Sequence, residues 1–130
     1  MTTLLVIDDE PTIGLLIRRL GEACGYRVTD VSDPDDFKHA FFADPPAVIG
    51  IDLSMPRIDG VQLLHFLADQ QCAAKLLIIS GSEGGAVRAA ARLGTSLGLD
   101  VAAVLHKPFR IAQLRTVLAE IKQGERSAAA

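Results

Sequence analysis

The sequence predicts an α/β fold, a (βα)5 doubly wound parallel sheet with strand order 2-1-3-4-5. Three observations carry this expectation. Short apolar runs alternate strictly with amphipathic stretches, five times over, and such alternation belongs to parallel sheets covered by helices on both faces. Right-handed crossovers leave few topologies, of which 2-1-3-4-5 is a common one at this size. The 130 residues, 49 % hydrophobic, suit one domain with an ample core.

Thr3 to Ile7 is β-branched and leucine-rich and reads as a buried strand, closed by Asp8, Asp9 and Glu10. Pro11 suits the first turn of a helix, where its missing N–H costs nothing. Ile13, Leu16, Ile17 and Leu20 then repeat at helical spacing, and Gly25 is a fitting C-terminal cap. Tyr26 to Val31 is a second strand. Ser32 or Asp33 caps a helix that carries Phe37, Ala40 and Phe41 and stops before Pro45-Pro46. Ala47 to Ile51 is the third strand, with Asp52 where it leaves the sheet. After a loop from Pro56 to Gly60, Asp59 or Gly60 starts a helix with Val61, Leu63, Leu64 and Leu67. Lys75 to Ile79 is the fourth strand, closed by Ser80-Gly81-Ser82. Gly84-Gly85 leads into an alanine-rich helix from about Ala86 to Leu97. Val101 to Leu105 is the fifth strand, closed by His106-Lys107-Pro108-Phe109, and Ile111 to Ile121 is the last amphipathic helix. The domain is expected over 1–122, with 123–130 a disordered tail or linker stub.

A net charge of −3 argues against a direct nucleic-acid surface, which needs clustered Lys and Arg. Cys24 and Cys72 show no metal-binding or CxxC spacing and read as reduced thiols of a cytoplasmic protein. The N-terminus has no basic region or cleavage site, and no apolar run approaches a membrane span. His39, His65 and His106 do not cluster.

The chemistry gathers at one sheet edge. Strands one, three, four and five end in Asp8/Asp9, Asp52, Ser80 and Lys107. Strands one and three are neighbours in a 2-1-3-4-5 sheet, so at least two carboxylates meet. Like charges at such range are costly unless protonated or bridged by a cation. Mg2+, a hard ion that accepts one or two carboxylates with waters and phosphate, is the natural bridge. Each residue alone has a plainer reading: a helix cap, an acidic first turn, a turn serine, a solvated lysine. Their joint position at one edge is what weakens it.

From Leu4 to about Ile121 the chain resembles the receiver domain of two-component response regulators, a flavodoxin-like fold. Leu5-Val6-Ile7-Asp8-Asp9-Glu10 is similar to the family's acidic turn. Asp52-Leu53-Ser54-Met55-Pro56 with Asp59-Gly60 is similar to its phosphoacceptor loop. Ile79-Ser80-Gly81 is similar to its hydroxyl position, and Leu105-His106-Lys107-Pro108-Phe109 to its lysine-proline motif. The separations fit, with 43 residues from Asp9 to Asp52 and 28 from Asp52 to Ser80. The resemblance implies that Asp52 accepts a phosphoryl group from a histidine-kinase phosphohistidine. It implies that Asp9, Asp52 and the Ser54 carbonyl bind Mg2+, with Asp8 acting through water. Lys107 would pair with Asp52 and then with a phosphate oxygen, and Ser80 would hydrogen-bond another. It implies a signalling domain rather than an enzyme. The implied partners are a sensor histidine kinase or phosphotransfer protein, a C-terminal effector domain and a second copy of the chain.

The chain departs from the family pattern twice. The usual switch aromatic falls at Val104 or its neighbourhood, and no aromatic lies between Phe66 and Phe109. Ser80 to Lys107 spans 27 residues, longer than in most receivers, with Gly84, Gly85, Gly94 and Gly98 in the added stretch. Here the chain resembles receivers joined to EAL-type cyclic-di-GMP phosphodiesterase domains. Two other functions compete: a pseudo-receiver that binds partners without phosphorylation, and a small aspartyl-phosphate phosphatase. The haloacid-dehalogenase pattern has a second Asp two residues after the nucleophile, where this chain has Ser54. Gly81-Ser82-Glu83-Gly84-Gly85 lacks dinucleotide spacing, and the acids after strand one would repel a pyrophosphate.

Overall fold

In the computed structural model of the protein, which describes residues 2–54, 59–81 and 84–129, strands and helices alternate throughout. Strand β1 (Thr2–Ile7) leads to α1 (Pro11–Ala23), β2 (Tyr26–Val31) to α2 (Pro34–Ala43), and β3 (Val48–Asp52) to α3 (Gly60–Asp69). Then come β4 (Lys75–Ser80), α4 (Gly84–Ser96), β5 (Asp100–His106) and α5 (Ile111–Ala129). All pairings are parallel, and the spatial order is β2-β1-β3-β4-β5, as the alternation predicts. Met55, Pro56, Ser82 and Glu83 of the expected loops lie outside the described residues.

Side chains alternate across a strand, so each central strand feeds two cores. Leu5, Ile7, Ile49 and Ile51 pack with Phe37, Phe41 and Leu64 under α2, α3 and α4. Leu4, Val6, Val48 and Leu77 pack with Ile17, Leu114 and Leu118 under α1 and α5. Strand β3 is buried along its whole length, which explains why its sequence reads as continuously apolar.

The helix starts follow capping chemistry. Asp33 accepts the backbone N–H groups of Asp35 and Asp36, and Asp59 accepts those of Val61 and Gln62. Gly25 takes φ +92° after α1, a left-handed conformation that a side chain rarely adopts.

Beyond shifts of one residue at strand ends, three features differ from the sequence pattern. Helix α4 begins at Gly84, taking in both glycines expected to precede it. The β4–β5 register slips between Leu76 and Leu77, which pair with Val101 and Ala103 and leave Ala102 unmatched. Helix α5 continues to Ala129, well past the last apolar repeat at Ile121.

Candidate functional site

The carboxyl ends of four strands build the site. Asp52 is the last residue of β3, and its side chain is 0 % exposed. The chain turns at once: Leu53 N–H donates to the Ile79 carbonyl at 2.7 Å, tying the ends of β3 and β4 together. Ser54 folds back on Asp52 in the turn that an aspartate side chain favours. Its backbone N–H and its hydroxyl donate to Asp52 Oδ1 at 2.9 and 2.6 Å.

Lys107 reaches the other oxygen. Its Nζ lies 2.6 Å from Asp52 Oδ2, 2.8 Å from Glu10 Oε1 and 3.4 Å from Ser54 Oγ. Burial depresses the ammonium pKa, but the hydrogen bonds and charges of Asp52 and Glu10 outweigh it, so Lys107 lies above the ordinary lysine value. The Lys107 N–H also donates to the Ser80 carbonyl at 2.8 Å, which joins the ends of β4 and β5. The Lys107–Pro108 peptide bond is cis. Ser80 is fully buried at the end of β4. The next residue, Gly81, runs close to both Lys107 and Ser54, since a Cβ there would stand 3.6 Å from Lys107 and 3.7 Å from the Ser54 hydroxyl.

The acids come from the turn after β1. Asp9 and Glu10 are exposed, and they share a cluster with Asp52 in which one carboxylate oxygen from each lies within 4.8 Å of the others. Asp8 is buried at 3 % exposure, with Oδ1 accepting the Glu10 N–H at 2.9 Å. Its Oδ2 is buried with no hydrogen-bond partner among the described residues. Desolvation, then the neighbouring Asp30 carboxyl, push the Asp8 carboxyl up to about 7, although the Glu10 N–H works the other way. Burial likewise raises Asp30, against the favourable contributions of Asp8 and Arg18.

The structure therefore brings Asp52, Lys107, Ser54 and Asp9 to one place, with Asp8 behind them and Ser80 on the adjoining strand end. Sequence reasoning missed two groups. Glu10 enters both the carboxylate cluster and the Lys107 pair, although it was legible only as part of an acidic turn. Asp30 stands near the end of β2, in phase with the buried Tyr26 and Val28. An acid in line with two core residues was the signal that could have found it. His39, His65 and His106 are all exposed, and Cys24 and Cys72 are free thiols.

The donor set suits a hard divalent cation. Among the described residues, three carboxylates converge with one lysine to offset them, and a fourth acid keeps a buried oxygen unsatisfied. Among the described residues no helix is long and apolar enough to cross a membrane.

Comparison with known proteins places the chain in a family. The C4-dicarboxylate transport transcriptional regulatory protein DctD of Pseudomonas aeruginosa is 32 % identical over 80 residues, covering 62 % of this chain and 17 % of that protein. The Sensor protein EvgS of Escherichia coli K12 is 29 % identical over 121 residues, 93 % of this chain and 10 % of that protein. The chain thus spans a small part of these relatives. Among solved structures, a response regulator from Colwellia psychrerythraea superposes with a TM-score of 0.80 at 26 % identity, covering 95 % of this chain and 98 % of that one. The receiver domain of AraT from Geobacillus stearothermophilus superposes with a TM-score of 0.82 at 24 % identity, covering 99 % and 98 %, and so shares the fold. Residues 4–119 match the response regulator receiver domain as a family. With that match over nearly the whole chain, on a 2-1-3-4-5 sheet, the protein belongs to the response regulator receiver domain family of two-component signalling.

Proposed function

We propose that this receiver takes a phosphoryl group onto Asp52 in a Mg2+-dependent reaction and uses the resulting charge to switch a partner surface. The observation that carries this reading is the Asp52 carboxylate itself. It is buried, gripped on one oxygen by Ser54 and on the other by Lys107, and bordered by the carboxylates of Asp9 and Glu10.

Asp9, Asp52 and the Ser54 carbonyl would hold Mg2+, with Asp8 acting through water and Glu10 available as a further carboxylate. Mg2+ supplies charge compensation to the equatorial phosphoryl oxygens. The remaining work falls to the chain. A carboxylate oxygen of Asp52 attacks phosphorus, the bond from phosphorus to the donor nitrogen breaks, and the nitrogen leaves with the electron pair. The product is a covalent acyl phosphate. Lys107 transfers its contact from Asp52 to a phosphoryl oxygen, a short step because its Nζ already stands 2.6 Å from the nucleophile. The Ser80 hydroxyl takes another oxygen. Phosphorylation adds roughly one to two negative charges at this point, enough to bias a two-state surface.

The donor would be a sensor histidine kinase or a phosphotransfer protein, and the setting the cytoplasm. Residues 1–122 act as the receiver unit, and 123–130 lead away from it. The output runs through an effector domain or a second copy of the chain. The narrower reading, a receiver joined to an EAL-type phosphodiesterase, rests on the α4–β5 sequence alone.

The test is incubation with Mg2+ and acetyl phosphate, followed by intact-mass measurement. One phosphoryl adduct, absent from Asp52→Asn, is expected. No adduct at any Mg2+ concentration would sink the proposal and favour a pseudo-receiver. Turnover of many phosphoesters would favour a phosphatase.

A further inference from the structure

Asp30 lies one strand away from the acidic cluster, yet its place is closely specified. Val6 of β1 pairs with Asp30 of β2, and the Asp8 N–H donates to the Val31 carbonyl at 3.1 Å, so the two acids are neighbours at the β1–β2 edge, where the Asp30 charge is felt at Asp8. Asp8 is 3 % exposed, and one of its oxygens is taken by the Glu10 N–H. The other, Oδ2, is buried without a partner among the described residues, and so is Asp30 Oδ1. Two acids thus meet where neither satisfies the other as carboxylates, and a buried acceptor without a donor is costly.

Helix α1 makes room for this meeting. Gly14 is buried against Asp30, and a Cβ at position 14 would collide with the Asp30 carboxylate. A glycine inside a helix is itself unfavourable. Local stability alone would select alanine at position 14 and an apolar residue at position 30, in phase with Tyr26 and Val28. The arrangement makes sense if a positive charge comes to Asp8 from its other side.

We propose that Asp30 is a positioning residue of the metal site, acting through Asp8. It turns the Asp8 carboxyl toward the acidic edge by like-charge repulsion and places a further negative charge behind it. That charge raises the affinity of the Asp8, Asp9 and Asp52 edge for a divalent cation. Partners of this kind, one layer behind the groups that meet a metal, orient those groups and tune affinity. The inference rests on the Mg2+ reading given under the proposed function.

The test is Mg2+ binding by calorimetry at about pH 8.5, where ordinary carboxyls are ionised, on wild type, Asp30→Asn and Gly14→Ala. Asp30→Asn should weaken Mg2+ binding about tenfold. Its rate of adduct formation from acetyl phosphate at saturating Mg2+ should stay within about twofold of wild type, because the groups that meet the phosphoryl are untouched. A merely structural role would not split affinity from rate in this way. Gly14→Ala, which displaces the Asp30 carboxyl but keeps its charge, should also weaken binding. Thermal unfolding without Mg2+ checks each fold, and Asp30→Ser replaces Asp30→Asn if the latter does not fold. An Asp30 variant that binds Mg2+ as wild type does overturns this inference and leaves the metal site standing. A wild-type protein that binds no Mg2+ overturns both.

Discussion

Replacing Lys107 by Met removes a charge from the site while keeping most of the side-chain stem. The Nζ of Lys107 stands 2.6 Å from Asp52 Oδ2, and the two side chains are 14 % and 0 % exposed. At an effective dielectric near 20, that separation corresponds to about 6 kcal/mol of attraction. Desolvation of the carboxylate and the ammonium offsets several kcal/mol of it. In the variant Asp52 stays buried with the Ser54 N–H and hydroxyl as its donors among the described residues. The expected loss is about 3 kcal/mol, the low end for removing one partner of a buried pair. For a chain of this size that lowers the Tm by roughly 10 °C. Urea denaturation without Mg2+ measures it, and a cycle with Asp52→Asn isolates the pair. In the Asp52→Asn background Lys107 keeps the ion pair with the half-exposed Glu10, worth about 0.5 kcal/mol, and the long contact with the Ser54 hydroxyl. A loss in Lys107→Met below about 1 kcal/mol, or an equal loss in both backgrounds, would refute the claim that Lys107 neutralises a buried Asp52.

Asp8 makes stability depend on pH. Its folded-state pKa of about 7 lies above the ordinary 3.8, so between these values the folded chain binds more protons than the unfolded one. Stability relative to Asp8→Asn should therefore fall as pH rises from about 4 to about 7, measured by denaturation without Mg2+ at a series of pH values. The buried Tyr26 hydroxyl donates to the Leu118 carbonyl at 2.7 Å, joining β2 to α5. Tyr26→Phe should cost about 1 to 2 kcal/mol, and a loss near zero in urea denaturation would show the bond to be dispensable. Asp33→Ala removes the acceptor for two N–H groups at the start of α2 and should cost about 1 kcal/mol, with the unfolding slope m unchanged.

Much of this site was legible because each strand end announces itself chemically. A strand buried on both faces must be apolar, so the first carboxylate or lysine after it marks where the chain leaves the sheet. That logic located Asp52, Asp8, Ser80 and Lys107. The caps Asp33 and Asp59 were legible for a related reason, since a short acid before a helical repeat has one common use. The remainder depended on partners distant in sequence. Asp30 matters through its meeting with Asp8 and the gap at Gly14, and no local pattern links the three. The unmatched Ala102 reflects how β5 registers on β4, which the β5 sequence alone does not state. Helix α5 outruns its apolar repeat because Gln123 to Ala129 is rich in residues that favour helices without needing a buried face.

The departure at Val104 bears on how a charge at Asp52 is felt elsewhere. Val104 is half-buried on β5 and pairs with Ile78. Beside it lies an open groove of about 380 Å³ lined by Ala112, Gln113 and Thr116. A valine has one stiff χ1 and no long lever, so no large rotamer at this position can follow the Ser80 hydroxyl. What does connect the site to β5 is backbone. The Lys107 N–H holds the Ser80 carbonyl, the Leu53 N–H holds that of Ile79, and Ser80 pairs with His106. A shift of Ser80 toward a phosphoryl oxygen would pull on Lys107 and His106 through the same bonds that position the lysine. The strand it would move is the edge of the sheet, with one unmatched residue and, of its seven residues, Leu105 alone buried. In this receiver the site is fixed by buried strand ends, and the element best able to yield is β5.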